Sequence, residues 1–155
     1  MTPSATPSAA RTLDERIKDT REHFENDVDA WVSTASADGT PYLVPLSFLW
    51  DGTTFLISTV RTAPTSRNLV ANAAVRLAFG ATRDVVLVEG NAVPVEEGAL
   101  EPESADAFAA KTGFDPREEK QEYLYFHVAP QRVQAWREVN ELAGRTLMKD
   151  GAWLA

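Results

Sequence analysis

The chain has 155 residues, no cysteine and a formal net charge of −8. A domain of this length buries roughly 70% of its unfolded surface and needs no covalent staples. The lack of cysteine excludes disulfides, thiolate nucleophiles, iron–sulfur clusters and cysteine–zinc sites. The acidic balance speaks against nucleic acid, and no run of about 18 apolar residues is present to form a membrane span. The expectation is a cytoplasmic protein.

Residues 1–10 are rich in Thr, Pro, Ser and Ala and lack the basic region and apolar core of a secretory signal. They read as a disordered leader. Thr12 followed by Glu15 is a capping-box pattern. Leu13, Ile17 and Phe24 recur at helical spacing, which predicts a helix over residues 12–25 with its stop at Asn26-Asp27. Residues 31–37 are β-rich, and Asp38-Gly39 is a hairpin signal. A second strand follows over 40–50, with Pro41 and Pro45 suited to an edge, a strand start or a bulge. Asp51-Gly52 turns into a third strand over 53–59.

Residues 61–66 read as a loop, and 67–74 as a short helix opened by Arg67 and Asn68. Strands are expected over 75–79 and 85–95, the latter interrupted at Gly90 and Asn91, where a bulge lets a barrel turn a corner. Residues 102–112 read as a helix with Pro102 in its first turn and Gly113 as its end. Two further strands are expected at 123–128 and 133–136, and the tail from Glu138 reads as irregular with a turn at Asp150-Gly151. The tally is about six or seven strands joined mostly by short turns, with flanking helices, which indicates a mainly β (α+β) antiparallel barrel. Residues 11–140 read as one domain, and 141–155 as a tail packing on the barrel or on a partner subunit.

The stretch from Ser58 to Leu77 carries the most chemistry. A strand end, a hydroxyl-rich loop and a helix start suit an anion. Amides in the first helical turn lack internal partners, and the dipole favours negative charge there. Ser58, Thr59, Thr65 and Ser66 offer hydroxyl donors, and Arg61 and Arg67 offer guanidinium forks. From the residues alone, helix capping and a solvated face form the stronger reading of this stretch, with phosphate binding the other.

The order of motifs resembles the pyridoxamine 5'-phosphate oxidase-like family of FMN-binding split barrels. Asp38-Gly39 and Pro41 before Val44-Pro45-Leu46 resemble the family's DG-x-P…V-P-L hairpin. Trp50-Asp51-Gly52 leads into Phe55-Leu56-Ile57-Ser58-Thr59, and Arg67-Asn68-Leu69 precedes the strand at Val75 as in the family's R-N-L segment. The likeness covers residues 27–95 and is looser after Tyr123. It implies a split barrel and a homodimer with cofactor sites at the subunit interface. The cofactor implied is FMN or, alternatively, the deazaflavin coenzyme F-420.

By that resemblance Ser66, Arg67 and Asn68 anchor the phosphate, flanked by Ser58, Thr59, Arg61 and Thr65. The ring lies along Val44, Pro45, Leu46 and Ser47. Trp136, Arg137 and Arg145 are candidates to reach the cofactor or substrate from the C-terminal segment. The chain departs from the family at Thr65, where many members carry a lysine. The implied function is hydride transfer between the cofactor and a small molecule. A non-catalytic flavin, haem or tetrapyrrole carrier and an empty dimeric scaffold are the alternatives.

Other candidates read as structural. His23 is expected to face solvent on the first helix, and His127 shares a strand face with Tyr123 and Tyr125. Two isolated histidines make neither a metal site nor a triad. The carboxylates at 96–103 and 118–122 read as solvated connectors. No side chain is nominated as a catalytic acid or base.

Overall fold

The computed structural model describes residues 9–155, so the expected leader lies outside the described residues except for Ala9 and Ala10. Helix α1 (Leu13–Asn26) begins where the capping box places it. The Glu15 amide donates to Thr12 Oγ1 at 3.2 Å, and the Thr12 amide donates to Glu15 Oε2 at 2.9 Å. Its buried stripe of Ile17, Thr20 and Phe24 faces the barrel. The Phe24 ring lies 4.7–5.1 Å from the rings of Trp50, Phe55 and Phe79.

Strands β1 (Asp29–Ala35), β2 (Pro41–Trp50) and β3 (Phe55–Val60) form consecutive hairpins. The turns use Gly39 at φ 85° and Gly52 at φ 98°, conformations that only glycine adopts without strain. Helix α2 (Pro64–Ala71) follows, then β4 (Ala74–Phe79), β5 (Val85–Val95), helix α3 (Pro102–Thr112), β6 (Tyr123–Trp136), β7 (Thr146–Lys149) and β8 (Ala152–Trp153). All pairings are antiparallel, in the order β3-β2-β1-β4-β5-β6-β7-β8, and a β3–β6 pairing closes the first six strands into a barrel. Helix α3 covers the outside of the closure, where Phe108 meets Tyr125 edge to face at 5.7 Å.

Three expectations need correction. The two strands expected at 123–128 and 133–136 are the ends of one 14-residue strand. Pro130 does not break it, because Gln131 is the extra residue of a bulge: Glu89 pairs with Arg132 while Gly90 pairs with Pro130. The expected corner at Gly90 is present, with the inserted residue on the partner strand. Helix α2 starts at Pro64, three positions before Arg67, because proline at the first helical position has its φ pre-set and no amide to satisfy.

The tail is not irregular. β7 pairs with β6, and Asp150 and Gly151, at φ 51° and 79°, make the tight turn into β8. A buried ion cluster ties this tail to α1. The Arg11 side chain donates to Glu141 at 2.7 and 2.9 Å, and Arg16 Nη1 donates to the Glu141 carbonyl at 2.9 Å. Glu141 is 3% exposed, and hydrogen bonds from Arg11 hold its carboxyl down at about 2.

Two outcomes follow from this packing. A Cβ on Gly90 would lie 2.9 Å from both the Ala129 carbonyl oxygen and Val128 Cγ1, so Gly90→Ala must push the bulge apart. Equilibrium denaturation of Gly90→Ala should show a loss of about 1–3 kcal/mol, the usual cost of overpacking. A near-neutral result would mean that the two strands part freely there.

The second concerns acid. The Glu141 carboxyl is lower in the folded chain, at about 2, than its ordinary value of 4.5. Its contribution is therefore present above about 4.5 and is lost as pH falls towards about 2. Glu141→Gln should lower stability near neutral pH by about 2–4 kcal/mol and flatten the loss between those two pH values. An unchanged acid limb in a denaturation series would remove Glu141 from the account.

Candidate functional site

The barrel is parted along a seam between β2 and β3, and β1 pairs with β4 over only three positions as well, 31–33 with 76–78. β2 pairs with β1 over Pro41–Ser47 but with β3 only over Phe48–Trp50. β3 pairs with β6 along its whole length, so Ser58, Thr59 and Val60 have β6 on one side and no β2 partner on the other. The expected ring-facing residues lie on this open edge. Val44 and Leu46 sit opposite the buried Val32 and Ala30 and share their inward face, half-buried. Pro45 and Ser47 point outward; Pro45 has no amide to offer, and Ser47 Oγ donates to Asp29 Oδ1 at 2.6 Å.

The residues expected to cradle phosphate are largely committed elsewhere. Ser58 faces the α3 side with its partner Tyr125, and its hydroxyl donates to the Leu124 carbonyl at 3.2 Å. Thr59 lies on the opposite, inward face and is half-buried. Thr65 and Ser66 are each 1% exposed, and Ser66 Oγ donates to the Val60 carbonyl at 2.8 Å. Asn68 Nδ2 donates to Thr34 Oγ1 at 3.1 Å. The Arg61 guanidinium bonds to Glu96 and lies 3.3 Å from Glu122. Arg67 is exposed in the second turn of α2 and makes no ion pair among the described residues.

The donor set thus tests a flavin-type cofactor in two parts. The seam offers an open strand edge flanked by the half-buried Val44, Leu46 and Thr59, whose side-chain chemistry is compatible with a flat ring. The hydroxyls at the start of α2 do not converge into an anion cradle, which leaves Arg67 and the amides of Thr65 and Ser66.

Trp136 and Arg137 lie elsewhere in the chain. Tyr125 pairs with Ser58, whereas Trp136 pairs with Val85 at the far end of β6. Eleven residues of strand separate them, about 36 Å at the usual rise. Arg137 Nε donates to Asp84 Oδ1 at 3.1 Å, its Nη2 lies 3.6 Å from Asp19, and Arg145 stacks 5.7 Å over Trp136. One chain does not bring this group to the seam. His23, expected to face solvent, is instead held there between Asp27 at 2.8 Å and Asp84 at 3.0 Å. Burial works against its charged form, but the two carboxylates outweigh it and raise its pKa. No group of three or more His, Cys, Asp or Glu that could hold a metal is present among the described residues.

The outer face of β1, β4 and β5 was not singled out by the sequence reading. Leu43, Ser33, Arg76, Glu89 and Arg132 form one row across five strands. Trp31, Leu43 and Val93 are 50%, 59% and 58% exposed there. Two grooves of about 600 and 240 Å³ run over this face and share Ser33, Arg76 and Glu89 as walls. The larger is also lined by Thr34, the partner of Asn68. The signal was present in Ala30-Trp31-Val32, where the tryptophan falls on the outward phase between two buried residues.

Among the described residues, a six-stranded antiparallel barrel closed by the β3–β6 pairing, two further strands and three α-helices define a split-barrel protein. The family description for pyridoxamine 5'-phosphate oxidase matches residues 17–137, and the chain belongs to that family. No curated protein matches it. Among solved structures, an F420 reductase is similar with a TM-score of 0.62 at 18% identity, over 83% of this chain and 98% of that one. General stress protein 26 from Bacillus anthracis str. Sterne is similar at 0.56 and 18% identity, over 80% and 93%. A Clostridium acetobutylicum protein related to general stress protein 26, of the pyridoxinephosphate oxidase family, is similar at 0.59 and 16%, over 83% and 92%. At these identities the likeness is one of fold.

Proposed function

We propose that this chain is an oxidoreductase that uses FMN or a deazaflavin, and that it works as a homodimer joined through the outer face of β1, β4 and β5. The observation that carries the reading is the seam, an open strand edge between β2 and β3 flanked by half-buried Val44, Leu46 and Thr59. Membership of the pyridoxamine 5'-phosphate oxidase family supports a flavin as occupant, and the F420 reductase of similar fold keeps the deazaflavin open.

A bound flavin or deazaflavin would supply the hydride chemistry. The chain would supply position and dryness. Val44, Leu46 and Thr59 would wall the ring. Asn68, fixed through Thr34, would hold the floor of α2 against β1. Arg67 would meet the phosphate. Neither histidine is placed to move a proton at the seam: His23 is held by two aspartates, and His127 lies on the other face of β6, 3.4 Å from Thr54 Oγ1.

A second reading, a cofactor carrier without turnover, draws on the buried Thr65 in the position where a family lysine would stand. The two separate on whether a bound flavin changes redox state when substrates are offered.

The test is calorimetric titration of the purified chain with FMN and, separately, with the deazaflavin coenzyme. Micromolar or tighter binding of one is expected. Arg67→Ala with Asn68→Ala should weaken it by about tenfold or more. Trp31→Glu with Leu43→Glu should shift the sedimenting species from dimer to monomer. If neither coenzyme binds, the oxidoreductase reading falls; a native chain that sediments as a monomer removes the dimer.

A further inference from the structure

Resting on the flavin reading above, we infer that Arg61 is a phosphate-binding residue held back by Glu96 and Glu122, and that this carboxylate clamp sets how strongly the site distinguishes a phosphorylated flavin from its phosphate-free form. Arg61 directly follows β3 at the mouth of the seam and precedes α2. Its amide donates to the Glu122 carbonyl at 2.8 Å, which fixes the backbone there. The guanidinium reaches Glu96, just past β5, and Glu122, just before β6. The clamp therefore joins three connectors that meet at one end of the barrel.

The clamp is hydrogen-bonded at one nitrogen and not at the other. Nη2 bonds to Glu96, whereas Nε, itself buried, lies 3.3 Å from Glu122 Oε2 without making a hydrogen bond. The side chains of Glu96 and Glu122 are 64% and 82% exposed, and exposed ion pairs hold weakly. An incoming phosphate must both displace these carboxylates and approach their charge. At the start of α2 only Arg67 can offset this in part, because Ser66 and Asn68 are bonded internally and Thr65 is buried. Arg61 thus has two sets of acceptors, its own carboxylates or a ligand's phosphate, and the free chain favours the first.

The experiment compares the affinities of each coenzyme and its phosphate-free ring–ribityl counterpart, riboflavin in the case of FMN. It uses the native chain, Arg61→Ala alone, Glu96→Gln/Glu122→Gln, and that pair combined with Arg61→Ala. In the native chain the phosphate should improve binding by less than about threefold. In the double variant that preference should rise to about tenfold or more, as one freed charge-assisted bond allows. It should fall back when Arg61 is also removed.

A gain that persists without Arg61 would mean that only the local field had changed, and would overturn the clamp. So would an unchanged preference in the double variant, or a native preference of about tenfold that Arg61→Ala abolishes. These outcomes differ from failure of the flavin reading, in which neither the coenzymes nor their phosphate-free counterparts bind the native chain.

Discussion

Closure by β6 is the constraint on which the rest of this structure depends. One strand serves β5 along one edge, and β3 and then β7 along the other. A strand that long cannot run straight around a small barrel, and the Gln131 bulge against Gly90 supplies the bend. The same closure creates the seam. β3 follows β6 for six residues, while β2 follows β1 for seven, so β2 and β3 share only three paired positions before they diverge. The open edge is thus a geometric consequence of closing the sheet; the ends of β1 and β4, which pair over only three positions, are likewise left without a strand partner on their shared side.

The termini are fastened by charge as well as by area, since Phe24, Leu147 and Met148 lie in the main core. Arg11 and Arg16 reach from the start of α1 to Glu141 and the carbonyls at 143 and 144. Farther along the same helix, Asp19 and His23 meet Arg137 and Asp84. Buried ion clusters contribute modestly to net stability but strongly disfavour any arrangement that leaves one member unpaired. That fits their place here: they fix where a short tail hairpin docks, a matter its two-residue β8 could not decide alone.

Much of this architecture was legible in the sequence because it is locally encoded. The Thr12–Glu15 capping box, the Asp-Gly turns at 38, 51 and 150, and the Pro102 and Gly113 boundaries of α3 each act within a few residues, and each sits where the pattern put it. The break expected between 128 and 133 is absent, because a bulge absorbs Pro130 within one strand, and the bulge depends on Gly90, forty residues away. Side-chain commitments at the candidate site were equally invisible. Nothing in the local pattern of Ser58, Ser66 or Asn68 reveals that Leu124, Val60 and Thr34 take their donors. The outward Trp31 could have been found, since alternation alone sets its phase.

These commitments bear on where binding free energy can come from. A charge-assisted hydrogen bond to phosphate contributes about 1.5–3 kcal/mol, but only if the donor is not already paired. Here Arg61 faces two carboxylates, and Arg76 is bonded to Glu89 at 2.8 Å. Against a net charge of −8, long-range attraction does not assist an anionic ligand. Arg67, exposed and in no ion pair among the described residues, remains available, and so does apolar surface: Val44 and Leu46 half-buried at the seam, with Trp31, Leu43 and Val93 exposed on the outer sheet. On the proposed flavin reading, apolar contact with the ring would be the main source of affinity at the seam, with the phosphate contact secondary.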